Sequence, residues 1–113
     1  MSDAHKEALE GIRAFVENRN WEQYHDPKNL AMALGSEVGE LLDLFRWVHS
    51  DEADELVEDP EGRRRIEEEV GDVAICLLML CDRLDIDLYE ALESKLEMNR
   101  QKYPADECRA DSD

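Results

Sequence analysis

The sequence predicts an all-α fold, a four-helix bundle, and three observations support this prediction. Apolar residues recur at helical spacing in four long segments. No stretch alternates between apolar and polar residues for long enough to form a strand. Short connections join the four segments, as is typical of a helix bundle.

The first predicted helix runs from about Ser2 to Tyr24 and carries apolar residues at helical spacing. It ends before Pro27, because the residue that precedes a proline avoids the helical region. The second helix runs from about Lys28 to Val48, since a proline suits the first turn of a helix.

A short acidic segment, 51–58, follows the second helix, and we expect a loop there with a turn or two of helix. The third helix begins at Asp59-Pro60 and continues to about Leu84. Its segment 73–81 is apolar on all sides, which predicts the central and most buried helix.

The fourth helix is predicted from Leu88 to about Tyr103, with Asp87 as its N-cap and Pro104 as its end. The chain is long enough for one domain but not for a second core. We therefore predict a single helical domain over 1–104 and a disordered acidic tail over 105–113.

The charge of the chain limits its partners. The sequence has 30 acidic and 13 basic residues, for a net charge of −17. Such a surface repels polymeric nucleic acid and acidic membranes, so we predict neither as a partner. An acidic excess this large, spread evenly along the chain, also predicts a halophilic protein, because molar salt screens the self-repulsion. An ordinary acidic protein is the alternative.

The three cysteines are too few, and odd in number, for a disulfide framework. Cys76 and Cys81 lie in an apolar run, where a free thiol behaves as a small hydrophobic group. That run, the longest in the chain, has nine residues and is too short to span a bilayer. The N-terminus does not resemble a signal peptide. These features predict a cytoplasmic protein.

Two acidic motifs stand inside apolar helical patterns. Glu37 and Glu40 lie three residues apart in the second helix, and Glu69 and Asp72 in the third, so each pair projects from one helix face. Glu37 occupies a position where the apolar stripe would require leucine. The stripe consists of Leu30, Leu34, Leu41, Leu44 and Val48.

A carboxylate removed from water costs several kcal/mol unless a cation or donor compensates it. The four carboxylates therefore predict a site for a hard divalent cation, with Mg²⁺ favoured by the all-oxygen ligands. The alternative is that they belong to the solvated faces of acidic helices.

The fourth helix carries Lys95, Asn99 and Lys102 on one face, with Tyr103 beside them. Two of the four lysines of the chain share this face, and a lysine suits a phosphate. An ordinary solvated face is the alternative. Glu22 and His25 have the E-x-x-H spacing of di-iron bundles, but it occurs once, which makes a di-iron site improbable.

The motifs together resemble a known family, the MazG-like all-α nucleoside triphosphate pyrophosphohydrolases, and within it the small dCTP pyrophosphatases. The resemblance runs from about Ile12 to Pro104. The segments that carry it are Asn20-Trp-Glu-Gln-Tyr-His25, Asn29-Leu30, Gly35-Ser-Glu-Val-Gly-Glu-Leu41, Phe45-Arg-Trp47, Glu68-Glu-Val-Gly-Asp-Val73 and Ser94-Lys-Leu-Glu-Met-Asn-Arg-Gln-Lys-Tyr-Pro104.

The resemblance implies Mg²⁺-dependent hydrolysis of a nucleoside triphosphate to the monophosphate and pyrophosphate, as in nucleotide pool cleaning. It implies a metal and catalytic set of Glu37, Glu40, Glu69 and Asp72. It implies substrate contacts from Trp21, His25, Asn29, Trp47, Lys95, Asn99, Lys102 and Tyr103. It also implies a homodimer or homotetramer with the active site near the subunit interface.

Two positions depart from the dCTP-specific members, in which a histidine and a tyrosine lie beside the base. Ile12 and Cys76 stand there in this chain, so cytosine specificity is in doubt and the substrate is expected among pyrimidine or modified dNTPs. The alternative functions are a non-catalytic acidic helical module for nucleotide sensing or regulation, and a purely structural bundle.

Overall fold

The computed structural model describes residues 3–110, which form helices and turns and no strand. The six helices are α1 (Asp3–Asn18), α2 (Pro27–Asp43), α3 (Ala53–Glu58), α4 (Pro60–Arg83), α5 (Leu88–Lys102) and α6 (Ala105–Cys108). The all-α prediction is confirmed: its four helices correspond to α1, α2, α4 and α5, and two short helices are added. No helix within residues 3–110 is long and apolar enough to cross a membrane.

Three aspartates fix where the long helices begin. The carboxylates of Asp26, Asp59 and Asp87 each accept a hydrogen bond from the backbone amide three residues later, at 2.8–3.0 Å. Pro27 and Pro60 follow two of these caps in the first helical turn, where a missing amide hydrogen costs nothing. Each cap contributes about 1 kcal/mol, so the predicted starts of α2, α4 and α5 are confirmed.

The first two helices end earlier in the chain than predicted. α1 ends at Asn18, not at Tyr24, because Asn20 adopts the left-handed region with φ 53°. Asparagine tolerates this region better than most residues. The amide of Trp21 then donates to the Val16 carbonyl, and Glu22–Tyr24 forms a separate 3₁₀ turn.

α2 likewise ends at Asp43 rather than Val48. The amides of Leu44 and Phe45 donate to carbonyls three residues earlier, which tightens the chain into turns. At the other end of the sequence, the segment predicted to be a disordered tail begins with the single-turn helix α6. Its last three residues lie outside the described part, as does Ser2, where the first helix was predicted to begin.

α2 and α4 form the centre of the fold and share most of the contacts between helices. They run antiparallel, because Leu30 and Met79 line one cavity while Glu37 and Glu69 meet further along the pair. Leu30 is only 2% exposed. The other members of its stripe are half-buried, as predicted, and so is Glu37.

α1 crosses the C-terminal part of α4, where Leu9 and Val16 are buried and Arg13 forms an ion pair with Asp82. α4 is the central helix, as predicted from its apolar segment 73–81, but this segment is not buried on every side. Cys76 and Cys81 are buried, but Ile75 on the same segment is 42% exposed. A single chain does not have enough neighbouring helices to cover α4 completely.

α5 makes little contact with the other helices of the chain. An edge-on contact joins Tyr89 to the ring of His5 in α1, with ring centroids 5.0 Å apart. The molecule is therefore open. Its radius of gyration is 17.7 Å, whereas about 13 Å is typical of a compact chain of this length. Its accessible surface is 9010 Å², against about 6,400 Å² for a folded monomer of this mass.

Candidate metal centre

Three glutamates from the central helix pair meet at one point. Glu37 and Glu40 come from the C-terminal half of α2 and Glu69 from α4, and one carboxylate oxygen of each lies within 4.8 Å of the others. The i, i+3 spacing puts the two α2 residues on the same face. The group is compact enough for one small cation to contact all three carboxylates.

Two oxygens of this cluster have no partner. Glu37 Oε2 and Glu69 Oε2 are buried and make no hydrogen bond. A buried carboxylate oxygen without a donor or a cation is costly, and the charges that act most strongly on these two residues are all carboxylates. These oxygens and their all-carboxylate surroundings fit a hard divalent cation such as Mg²⁺.

The cluster holds protons when no cation is present. Loss of hydration, followed by the hydrogen bond and charge of Glu40, raises the pKa of Glu37 to about 7, and the charges of Asp72 and Glu69 add to the effect. Loss of hydration, and then the charge of Glu40, also raises the pKa of Glu69. A bound cation would therefore displace protons near neutral pH.

Asp72 lies beside this three-glutamate group and not within it. It follows Glu69 by one turn of α4, its side chain is exposed, and its charge raises the pKa values of both Glu37 and Glu69. Burial raises the pKa of the Cys76 thiol, and the charges of Glu37 and Asp72 raise it further. This thiol therefore lies near the carboxylates. The structure thus brings three of the four predicted ligands together and puts the fourth next to them.

An apolar cavity of about 320 Å³ lies between α1 and α4. Trp21 forms one wall and packs edge-on against Phe15, with centroids 5.6 Å apart. Ile75 and Met79 line the α4 side. Ile75 follows Asp72 by three residues, so the cavity adjoins the carboxylates along α4 at a rise of about 4.5 Å. In the sequence, Ile75 and Met79 could have been identified because they follow Asp72 at helical spacing and so lie on the same face of α4.

His25 and Asn29 do not line this apolar cavity. His25 lines a second cavity, of about 380 Å³, which shares Ile12, Val16 and Met79 with the first. The side-chain amide of Asn29 donates to the Tyr24 carbonyl at 3.2 Å, so Asn29 holds the turn before α2.

The remaining predicted substrate residues lie on exposed or weakly attached parts of the chain. Trp47 is 81% exposed, and the Arg46 guanidinium lies 4.7 Å from the centre of its ring. The other four, on the weakly attached α5 and just after it, are Lys95, Asn99, Lys102 and Tyr103. The Lys102 ammonium lies 5.3 Å from the Tyr103 ring.

A model of the MazG-like family matches residues 32–111, which is more than half of the chain and includes both acidic motifs. The chain belongs to the MazG-like family. The matched range of this MazG-like chain contains α5 and Trp47, whereas Trp21, His25 and Asn29 precede it.

Named relatives extend the similarity toward the N-terminus. The chain is 44% identical to mouse dCTP pyrophosphatase 1 over 100 residues, which is 85% of this chain and 59% of that protein. It is 43% identical to the human dCTP pyrophosphatase 1 over 108 residues, 92% of this chain and 64% of that protein. The MazG-like chain therefore spans about three fifths of the length of these relatives.

A solved structure of a pyrophosphatase from Archaeoglobus fulgidus is similar over almost its whole length. The TM-score is 0.85 at 44% identity, with 92% of this chain and 95% of that chain covered. The arrangement of helices in the MazG-like chain is thus that of a known all-α pyrophosphatase.

Proposed function

We propose that this MazG-like chain hydrolyses a nucleoside triphosphate to the monophosphate and pyrophosphate, with Mg²⁺ held by Glu37, Glu40 and Glu69. The observation that carries the proposal is the pair of buried carboxylate oxygens without partners, Glu37 Oε2 and Glu69 Oε2. Relatives with 43–44% identity are named as dCTP pyrophosphatases, which supports the reaction type.

When bound, the metal supplies charge neutralisation and polarises the phosphate oxygens. The three glutamates hold it, and the proton that Glu37 carries near neutral pH leaves as it binds. Asp72 is exposed beside the group, so its carboxylate can orient a water molecule and accept its proton. Attack of this water on phosphorus breaks the bridge between the first and second phosphates and releases pyrophosphate.

The apolar cavity beside Trp21 is our candidate for the base pocket. It adjoins the carboxylates, and the indole offers a flat face for stacking. Ile12 lines it where dCTP-specific members would have a histidine, so we propose a pyrimidine or modified dNTP as substrate, with dCTP among the candidates. We place His25 and Asn29 at the edge of this pocket and Trp47 as an exposed contact for the nucleotide.

We also propose that the protein works in the cytoplasm as a homodimer or homotetramer and that it comes from a halophile. The open surface of the single chain supports assembly. The two buried free thiols, Cys76 and Cys81, support a reducing compartment. The net charge of −17 supports a high-salt environment.

The test is turnover of each common dNTP and NTP by the purified protein in molar KCl with Mg²⁺, with monophosphate and pyrophosphate measured by chromatography. We expect pyrophosphate release from pyrimidine dNTPs. In Glu40→Gln the hydrolysis rate should fall by a factor on the order of 100 or more. The matched control is Glu55→Gln, an exposed carboxylate of α3, which should keep full activity. Unchanged hydrolysis in Glu40→Gln with normal helical circular dichroism would refute the proposal, and nucleotide binding without turnover would favour the non-catalytic module.

A further inference from the structure

We propose that Arg13 of α1 and Asp82 of α4 are a positioning pair, which sets the width of the apolar cavity beside Trp21 and so the fit of the nucleotide base. The role of this cavity as the base pocket rests on the proposed function. The hold of the pair on the spacing of α1 and α4 does not, because it follows from contacts within the chain.

The Arg13–Asp82 pair differs from the other ion pairs that arginines form in the chain. Its guanidinium contacts the carboxylate through two nitrogens: Nε donates to Oδ2 at 3.1 Å, and Nη2 donates to Oδ1. The two residues are 69 positions apart. The other arginine ion pairs among residues 3–110 join partners only three or four positions apart. The Arg13–Asp82 pair is thus the arginine ion pair that connects two helices in this part of the chain.

The apolar cavity separates α1 from α4 over part of their length. Residues of α1 and the turn after it line one side, and Ile75 and Met79 of α4 line the other. Side chains that face a cavity of about 320 Å³ have no partner atoms across it. Apolar packing therefore does not fix the spacing of the two helices at this point, and a further contact is needed to set it.

The ion pair stands at the edge of this cavity on both helices. Arg13 directly follows Ile12, and Asp82 follows Met79 by three residues, a rise of about 4.5 Å along α4. Ile12 and Met79 line both the apolar cavity and the neighbouring one of about 380 Å³. Arg13 and Asp82 also line that neighbouring cavity. A movement of either charged residue therefore moves a wall of the apolar cavity.

The two hydrogen bonds make the pair a spacer of fixed geometry. A guanidinium is a planar fork that matches a carboxylate, so a two-pronged contact restricts both distance and orientation. Leu9 and Val16 of α1 are buried as well, but apolar contact has no direction and allows a helix to shift. At 1 M salt the screening length is about 3 Å, so a direct contact persists where attraction over longer distances is lost.

The pair should affect substrate fit more than the stability of the fold. The side chains of Arg13 and Asp82 are 55% and 32% exposed, and ion pairs at such sites add little to stability. Contacts with the base hold substrate and transition state alike, so a looser cavity raises KM and leaves kcat unchanged. A wider cavity loses more contact with a small ring than with a large one, so the preference for pyrimidines should also fall.

The kinetics of two single variants and of their charge-reversed combination test this role. Arg13→Gln and Asp82→Asn should each raise KM for pyrimidine dNTPs about 10-fold, with kcat within about twofold of the parent. KM for any purine dNTP that the parent hydrolyses should rise less. The combination Arg13→Asp/Asp82→Arg restores an ion pair and should recover most of the loss.

The matched control removes an arginine whose partners lie on its own helix. Arg64 pairs with Glu61 and Glu68 of α4, so Arg64→Gln should keep the KM of the parent. Unchanged KM in both single variants, with normal helical circular dichroism, would overturn the inference. A folded charge-reversed protein that is no better than the single variants would do so too.

The fluorescence of Trp21 gives a readout that needs no turnover. Trp21 lines the cavity and contacts Phe15 of α1, so it moves with α1. Trp47→Phe removes the other tryptophan of the chain. In this background and without nucleotide, the acrylamide quenching constant of Trp21, which is 43% exposed, should rise by up to about twofold in Arg13→Gln.

The charge-reversed protein and Arg64→Gln should both be quenched like the parent. Equal quenching in the parent and in Arg13→Gln would overturn the inference. The expected change in quenching, in a protein that hydrolyses no nucleotide, would support the hold on α1 and refute the proposed function alone.

Discussion

Glu37→Gln should stabilise the metal-free protein at alkaline pH, because it removes a charge that the fold does not compensate. The pKa of Glu37 is about 7 in the folded chain and 4.5 ordinarily. The folded state thus holds the proton more tightly, and the stability this provides is present below pH 4.5 and lost as the pH rises to 7. The shift corresponds to about 3 kcal/mol at most, and partial exposure of the side chain reduces it to about 1–3 kcal/mol.

The assay is urea denaturation followed by circular dichroism, at fixed KCl and protein concentration, with a chelator present. We expect Glu37→Gln to match its parent at pH 4.5 and exceed it by about 1–3 kcal/mol at pH 8. Glu55→Gln, which makes the same charge change on an exposed site, should show no such pH dependence.

Magnesium should reduce the stability advantage of Glu37→Gln at pH 8. A ligand present at 100 times its dissociation constant stabilises the folded state by about 2.7 kcal/mol, and the glutamine variant should gain less. A difference between Glu37→Gln and its parent that stays constant from pH 4.5 to 8 would refute the reasoning, because it could not arise from titration of this carboxyl group.

Two further predictions concern packing and thiol reactivity. Gly62→Ala should destabilise the protein by about 1–3 kcal/mol in urea denaturation, because its Cβ would lie 2.2 Å from the Leu56 carbonyl oxygen. A Cβ added at Gly11 would meet no atom within 4 Å, so Gly11→Ala should be neutral or stabilising by up to about 1 kcal/mol. An equal loss of stability in the two variants would contradict the packing argument. Toward a thiol reagent at pH 8, the exposed Cys108 should react fast and Cys76 slowly, because burial raises the pKa of the Cys76 thiol; equal rates would show that α4 is not packed as described.

The helix starts were predictable because they depend on local chemistry. An aspartate followed by a proline supplies both the cap and the fixed backbone angle, so Asp26-Pro27 and Asp59-Pro60 mark α2 and α4 with no reference to the rest of the chain. The end of α1 was also encoded locally, in Asn20, but asparagine is common within helices and its left-handed conformation becomes evident only in the folded chain.

The carboxylate cluster was predictable to the extent that it depends on helical periodicity. Glu37 interrupts an apolar stripe, and the structure indeed half-buries it against α4. That Glu69 joins the group while Asp72 stays beside it depends on the rotation of α4 relative to α2, which packing determines. The position of α5 was not predictable. The spacing of its apolar residues indicates an apolar face but does not identify the surface against which that face packs.

The net charge of −17 also has a kinetic consequence. A free nucleotide diffusing toward this surface meets repulsion whose range is about 30 Å at 0.01 M salt and only about 3 Å at 1 M salt. Its association rate should therefore increase as salt is added, the reverse of the behaviour of oppositely charged partners that steer each other together. The second-order rate constant for a nucleotide should therefore be lower in dilute buffer than in molar salt.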